Sequence, residues 1–294
     1  MDVPHTTPEA DDDPHPTVAP GAVGPPGMKP RAIVFDLFGD HLRYHGGAAR
    51  LQALGELLEA FGVGESTTRV VLARMRREGW FETRREGRQT VYTLTDTSWR
   101  LLDEGRTRIF DRQREPWDGQ WRMVIYGAAE RDRTDRDRLR RTLTWLGFGP
   151  LAPATWVSPH PRLEQVARAV AASPATKVDL LTCRSGGGAA DREMAARCWD
   201  LNGLGRDYAD LVDRLLALPP PSALEELPGP DALRLRIELV SAYRAFPFRD
   251  PDLPAELLPE GWPGRRAHEL FVAAHDALAG PADGYVAEVL ERQT

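Results

Sequence analysis

A mixed α+β chain of several domains is predicted for this sequence, and three observations carry the prediction. A helix, a glycine turn, a second helix and two alternating strands follow one another between Leu51 and Thr95. Strand and helix patterns then alternate from Trp121 to Thr182. Beyond residue 189 the pattern is helical with proline-rich interruptions. The chain is therefore divided into a tail over 1–28 and a winged helix-turn-helix over 29–115. A ferredoxin-like α/β domain follows over 116–188, then a helical domain over 189–294.

Bulk properties narrow the classes. The chain has 294 residues and 41% hydrophobic content, as an ordinary globular protein does. It contains no apolar run of about 18 residues and no basic, apolar leader, so neither a membrane span nor a signal peptide is read, and the expected location is cytoplasmic. Cys183 and Cys198 lack zinc-ligand spacing and are expected to stay reduced. Net charge is −6, but its distribution decides more than its sum. Residues 1–27 carry five acids and no Lys or Arg, whereas residues 28–114 carry 16 basic against 12 acidic side chains. Arg supplies almost all of that positive charge, and its planar fork suits phosphate and guanine.

Taken in order, residues 1–27 are rich in Pro, Asp and Gly and cannot build a core, so a disordered acidic tail is expected. Residues 30–46 start at a proline and place Ile33, Leu37, Phe38 and Leu42 at helical spacing. His41 and His45 lie four apart there, without the glutamate or third ligand of a metal site. Residues 50–61 put Leu51, Leu54, Leu57, Leu58 and Phe61 on one face, and Gly62 and Gly64 permit a sharp turn.

The next helix is expected from Ser66, as N-cap, to Glu78. Thr68, Leu72 and Met75 share its inner face. The outer face offers Ser66, Thr67, Arg69, Val70, Ala73, Arg74 and Arg77, small and cationic enough to enter a major groove. A solvated basic helix is common, but here a hairpin follows, Trp80–Arg85 and Thr90–Thr95, with Arg84, Arg85 and Arg88 at its tip. A basic tip beside such a helix is where a wing meets phosphates or the minor groove. Double-stranded DNA is thus the expected partner. A closing helix over 96–112 is expected to be capped by Asp96 or Thr97.

Residues 120–184 read strand, helix, strand, helix, strand: Trp121–Tyr126, Asp135–Leu146, the short strand pieces Phe148–Leu151 and Thr155–Ser158, Arg162–Ala171 and Lys177–Thr182. Gly186–Gly188 lacks the Lys-Ser/Thr of a phosphate loop and reads as a hinge. One long helix is expected over 190–218, others over 231–246, 264–279 and 281–292, and a rigid proline-rich loop between 247 and 263.

Several long phrases resemble the PaaX family, repressors of phenylacetic acid catabolism: LFGDHLRYHGG, TRVVLARMRREGWFETRREGRQTVYTLT, PWDGQWRMVIY, ERDRTDRDRLRRTLTWLGFGPLAPATWVSPHP and AYRAFPFRDPDLPAELLPEGWPGRRAHELF. The resemblance spans about residues 30–290. It implies a cytoplasmic, usually dimeric repressor with a GntR-like winged helix, released from its operator by an aryl-CoA thioester such as phenylacetyl-CoA. For such a ligand the candidates are Arg244, Arg265 and Arg266 with Tyr243, Phe246, Phe248 and Trp262, joined by Trp156 and His160 of the middle domain. The middle domain also resembles small CRISPR-associated nucleases, which need a carboxylate at the end of the first strand; this chain has Gly127 there. With no Ser/His/Asp or Cys/His cluster either, no catalytic residue, metal or cofactor is expected. Two other classes stay open: a metal-dependent nuclease, and a regulator answering to a protein partner or to no ligand.

Overall fold

The computed structural model describes residues 28–111, 116–127, 133–171 and 177–292. The tail expected over 1–28 lies outside the described residues except for Met28, which packs against the core.

Helix α1 (Pro30–Asp40) opens on a proline and buries Ile33, Val34, Leu37 and Phe38 together with Asp36 and Asp40. It is shorter than the helix expected over 30–46. A 3-10 turn (Leu42–Tyr44) follows, and Gly46 and Gly47, at φ +79 and +68, reverse the chain into strand β1 (Ala48–Arg50). That strand is too short to show in hydropathy; its partner lies more than 40 residues on, Ala49 facing Tyr92. Helix α2 (Leu51–Glu59) buries Ala53, Leu54, Leu57 and Leu58. Helix α3 (Glu65–Arg77) begins one residue before the expected start: Gly64 is its N-cap, and Ser66 lies exposed in the first turn without capping. Strands β2 (Phe81–Glu86) and β3 (Gln89–Leu94) pair antiparallel, with Glu86 opposite Gln89. Two residues, Gly87 at φ +58 and Arg88, are left for the turn, as a tight hairpin requires. The small sheet has the order β1-β3-β2. Helix α4 (Asp96–Phe110) is capped by Thr95, whose hydroxyl accepts from the Ser98 N–H, not by Asp96 or Thr97 as expected.

The middle of the chain runs β4 (Trp121–Tyr126), α5 (Arg133–Trp145), β5 (Gly149–Ala152), β6 (Thr155–Ser158), α6 (Leu163–Ala171) and β7 (Val178–Cys183). Its sheet, order β5-β6-β4-β7, is antiparallel throughout. The two-residue period of β4 serves two cores. Val124 and Tyr126 meet Leu139, Leu143 and Val166 of the helices, while Trp121 on the other face meets Ala195, Cys198 and Leu257.

The C-terminal part is α7 (Gly188–Cys198), α8 (Leu201–Leu216), the short α9 (Pro221–Leu224), α10 (Gly229–Tyr243), α11 (Gly264–Ala277) and α12 (Ala279–Arg292). The single helix expected over 190–218 is two. Trp199 is extended, at φ −137 and ψ 143, and the Asp200 carboxylate restarts the chain by accepting from the Gly203 N–H at 2.9 Å. The glycine triple read as a hinge leads into α7, with Gly187 as its N-cap. In the proline-rich loop, Pro251, Leu253 and Leu257 are buried.

One hydrophobic cluster joins both ends of the chain, uniting Leu37, Leu54, Leu57 and Leu72 with Ile237, Phe271, Val286 and Val289. Buried charges cross the same seam. Asp40 of α1 accepts from Arg236 Nε at 2.7 Å and from His275 Nε2 at 3.0 Å. Arg244 donates to Asp36 at 2.7 Å, and His41 Nδ1 donates to Asp283 at 2.6 Å. His41 thus joins a helix-to-helix network rather than a pair with His45. Such groups hold register between elements, because an unpaired buried charge is costly.

Candidate nucleic-acid interface

Helix α3 is held from behind. Thr68, Leu72 and Met75 are buried, and full burial of Leu72 and Met75 stabilises by roughly 1.5–3 kcal/mol each. The side away from the core carries Ser66, Thr67, Arg69, Val70, Ala73, Arg74 and Arg77, all exposed, with Val70 at 68%. An apolar residue that open, between small neighbours, leaves backbone and methyl groups free to approach a partner surface. Arg76, which the sequence reading left out, is exposed beside them. Seven residues on from Arg69, it shares that side of the helix.

Two of the arginines are held by the helix itself. Arg69 pairs with Glu65, and Arg74 Nε donates to Glu78 at 2.7 Å. Arg31 of α1 also reaches Glu78. Burial works against the charge of Glu78, but hydrogen bonds from Arg74 and Arg31 prevail and hold its carboxyl below the usual range. Exposed pairs of this kind contribute about 0.2–1 kcal/mol, so they orient the side chains without locking them away from a phosphate. Arg76, Arg77 and Arg88 have no ion-pair partner among the described residues.

The hairpin supplies a second cationic ridge. Arg84 Nη2 lies 2.6 Å from Glu86, and Arg50 of β1 reaches the same carboxylate at 3.1 Å. Hydrogen bonds from Arg84 and then Arg50 hold the Glu86 carboxyl below its usual range. Arg85 donates to the carbonyl of Arg88 across the tip, at 3.3 Å. Rings anchor the hairpin to α1, Phe38 to Phe81 at 5.0 Å and Phe35 to Trp80 at 4.6 Å, and Phe81 meets Tyr92 within the hairpin at 5.9 Å. Helix and hairpin tip therefore belong to one rigid unit, and exposed guanidiniums extend from both.

The nine residues expected to hold an effector are scattered. Tyr243 is fully buried, bonded through its hydroxyl to His268 at 3.0 Å and stacked on Phe271 at 4.2 Å. Phe246 is buried against Tyr208 at 4.3 Å, and Trp262 meets the edge of the same ring. Arg244 is committed to Asp36. Arg265 and Arg266 lie exposed on α11 beside Glu269. His160 is buried, with Nε2 2.8 Å from the Pro251 carbonyl; burial pushes its pKa down to about 4, so the ring is neutral and donates. Trp156 and Phe248 alone of the nine line a cleft between the middle part, α4 and the loop 247–252. Gly127 lies exposed just past β4, and its neighbours 128–132 are outside the described residues. No helix of the described residues is long and apolar enough to cross a membrane.

Comparisons with known proteins cover nearly the whole described chain. Three family profiles match in succession: "PaaX-like protein" over residues 29–98, "PaaX protein central Cas2-like domain" over 114–195 and "PaaX-like protein C-terminal domain" over 199–288. The chain is 31% identical over 265 residues to the transcriptional repressor PaaX of Escherichia coli (strain K12), covering 87% of this chain and 83% of that protein. Among solved structures it is similar to the uncharacterized protein Rv0674 from Mycobacterium tuberculosis. The TM-score is 0.63 at 25% identity, over 88% of this chain and 99% of that one.

Proposed function

The chain belongs to the PaaX family, and on that premise we propose that it is a transcriptional repressor that reads double-stranded DNA through α3. The observation that carries this reading is the exposed stripe from Ser66 to Arg77 beside the cationic hairpin tip, both backed by a rigid core. On this reading residues 29–115 form a winged helix: Ser66, Thr67, Arg69, Val70, Arg74 and Arg77 face base edges and nearby phosphates, while Arg84, Arg85 and Arg88 take the backbone or minor groove. The middle part is read as ferredoxin-like, since its strand–helix–strand, strand–helix–strand order and β5-β6-β4-β7 sheet follow that plan.

The protein acts in the cytoplasm as a homodimer on a near-palindromic operator, and an aryl-CoA thioester such as phenylacetyl-CoA releases it. Release requires the ligand to favour the state that does not bind DNA, because equal affinity for both states shifts nothing. The enzyme alternative lacks support where it needs it most, since Gly127 offers no carboxylate at the end of β4. Gel shifts on DNA upstream of the protein's own gene test the reading. Arg69→Ala and Arg74→Ala are each expected to cost about 1–3 kcal/mol of operator affinity. Equal binding by both variants and the parent would falsify the assignment of α3.

A further inference from the structure

Helix α5 of the middle part matches α3 in charge. Its 13 residues carry five Arg and two Asp, and the 13 of α3 carry four Arg and one Glu, a net +3 in each within a chain of net −6. No other helix of the described residues has a net positive charge. The charge of α5 lies on one side. Leu139 and Leu143 are buried with Val124 and Tyr126 of the sheet. The outer side shows Arg138, Arg140 and Arg141 to water, with Thr144 exposed beside them. Arg138 and Arg141, three apart, are neighbours on successive turns.

Little ties these side chains down. Arg140 Nε donates to the Tyr126 hydroxyl at 3.3 Å, and its Nη1 lies 3.9 Å from Asp137, a long pair between exposed groups that water screens. Three guanidiniums within four residues repel one another, and a polyanion with regularly spaced phosphates relieves that repulsion. The position of α5 relative to α3 is fixed through α4. Near its C-terminal end Arg108 donates to the Trp145 carbonyl of α5 and lies 3.6 Å from the centre of that indole ring. At the other end Ser98 Oγ donates to the Trp80 carbonyl and Thr95 Oγ1 to the Gly79 carbonyl, each at 3.0 Å, just beyond α3. The 15 residues of α4 span about 22 Å at 1.5 Å per residue. The strut between the two cationic helices is thus shorter than one turn of duplex, about 34 Å.

We infer that Arg138, Arg140 and Arg141 of α5 form a second DNA contact, independent of sequence, on phosphates of the duplex flanking the site that α3 reads. The guanidinium fork suits a phosphate, and such contacts position a protein on the duplex without reading bases. The inference rests on the DNA-binding reading above and adds to it a surface outside residues 29–115.

Fluorescence anisotropy of the full chain over a salt series tests this, on duplex from upstream of the protein's own gene and on random duplex of equal length. Arg138→Gln with Arg141→Gln should weaken binding to both by about tenfold and flatten the slope of log affinity against log salt by about 2. Arg138→Lys with Arg141→Lys keeps the charge and should bind as the parent does. Slopes that the Gln pair leaves unchanged, a loss confined to the upstream duplex, or an equal loss in the Lys pair overturns the α5 contact. Arg69→Ala with Arg74→Ala, measured alongside, separates the two claims. It should lose the preference for the upstream duplex and keep the parent's salt slope on random duplex. A preference retained there counts against α3 and not against α5, and a parent that binds neither duplex overturns both.

Discussion

Removing the Asp40 carboxylate should loosen the seam between the N-terminal unit and the C-terminal helices. Asp40 and Arg236 expose 5% and 7% of their side chains, and the carboxylate holds Arg236 at 2.7 Å and His275 at 3.0 Å. Asp40→Ala leaves Arg236 buried beside Asp283 alone, whose nearer oxygen is 3.9 Å away. Breaking a buried pair by deleting one partner costs about 3–5 kcal/mol. At about 2–4 °C per kcal/mol for a protein of this size, the midpoint of thermal unfolding should fall by roughly 10 °C. The pH dependence has a definite sign. Burial disfavours the Asp40 charge, but hydrogen bonds from His275 and Arg236 outweigh it and hold the pKa well below 3.8. Its contribution is therefore complete above the unfolded value and is lost only as pH falls through the folded one, so the deficit of Asp40→Ala should be constant from pH 5 to 8 on this account. The apolar double variant Asp40→Leu with Arg236→Met should recover much of the loss, since it strands no charge. Differential scanning calorimetry reads all of this. A single variant melting within about 2 °C of the parent would refute the claim that this pair carries the seam.

Asp36 should behave oppositely. Burial, against the pull of Arg244, raises its pKa from 3.8 to about 6. Its favourable contribution is present below the unfolded value and is lost as pH rises through about 6, a change of about 3 kcal/mol. Asp36→Asn should thus gain on the parent between pH 4 and 7 in urea melts; parallel pH profiles would contradict this. Thr95→Ala removes the α4 cap and should cost about 1 kcal/mol, measured by the same melts. Gly47→Ala should be more damaging, because its backbone is at φ +68 and a Cβ there would lie 2.6 Å from the Trp99 ring; an unchanged melt would mean that the ring gives way. Arg88→Ala should weaken DNA binding on all sequences alike and reduce the salt slope by about 1, so a sequence-selective loss would speak against a phosphate contact.

Local signals were enough for much of the N-terminal unit. The periodicity of Thr68, Leu72 and Met75 identified the inner face of α3, and the same residues are buried. Alternation around Gly87 located the hairpin to within one residue at each end. Ser66 misled because its type favours a cap, whereas the backbone after Gly62 and Gly64 starts the helix one residue earlier. Strand β1 was invisible because three residues carry no period and owe their conformation to β3. The effector candidates show a deeper limit. Arg244 and Tyr243 have the chemistry of a binding site, yet Asp36, more than 200 residues away in sequence, occupies the first, and Phe271 covers the second.

The amino-acid order alone settles what is local: which residues turn inward, where glycines bend the chain, and where arginine gathers. Those follow from side-chain period and backbone sterics, which act over a few residues. Which arginines remain available for a partner is settled only in three dimensions. Arg69, Arg74, Arg236 and Arg244 look alike along the chain; the first two are exposed beside carboxylates four residues away, whereas Arg236 is buried and Arg244 half-buried against α1. The reason is that a charge is neutralised by whatever lies within a few ångströms of it, and packing rather than sequence separation sets that distance.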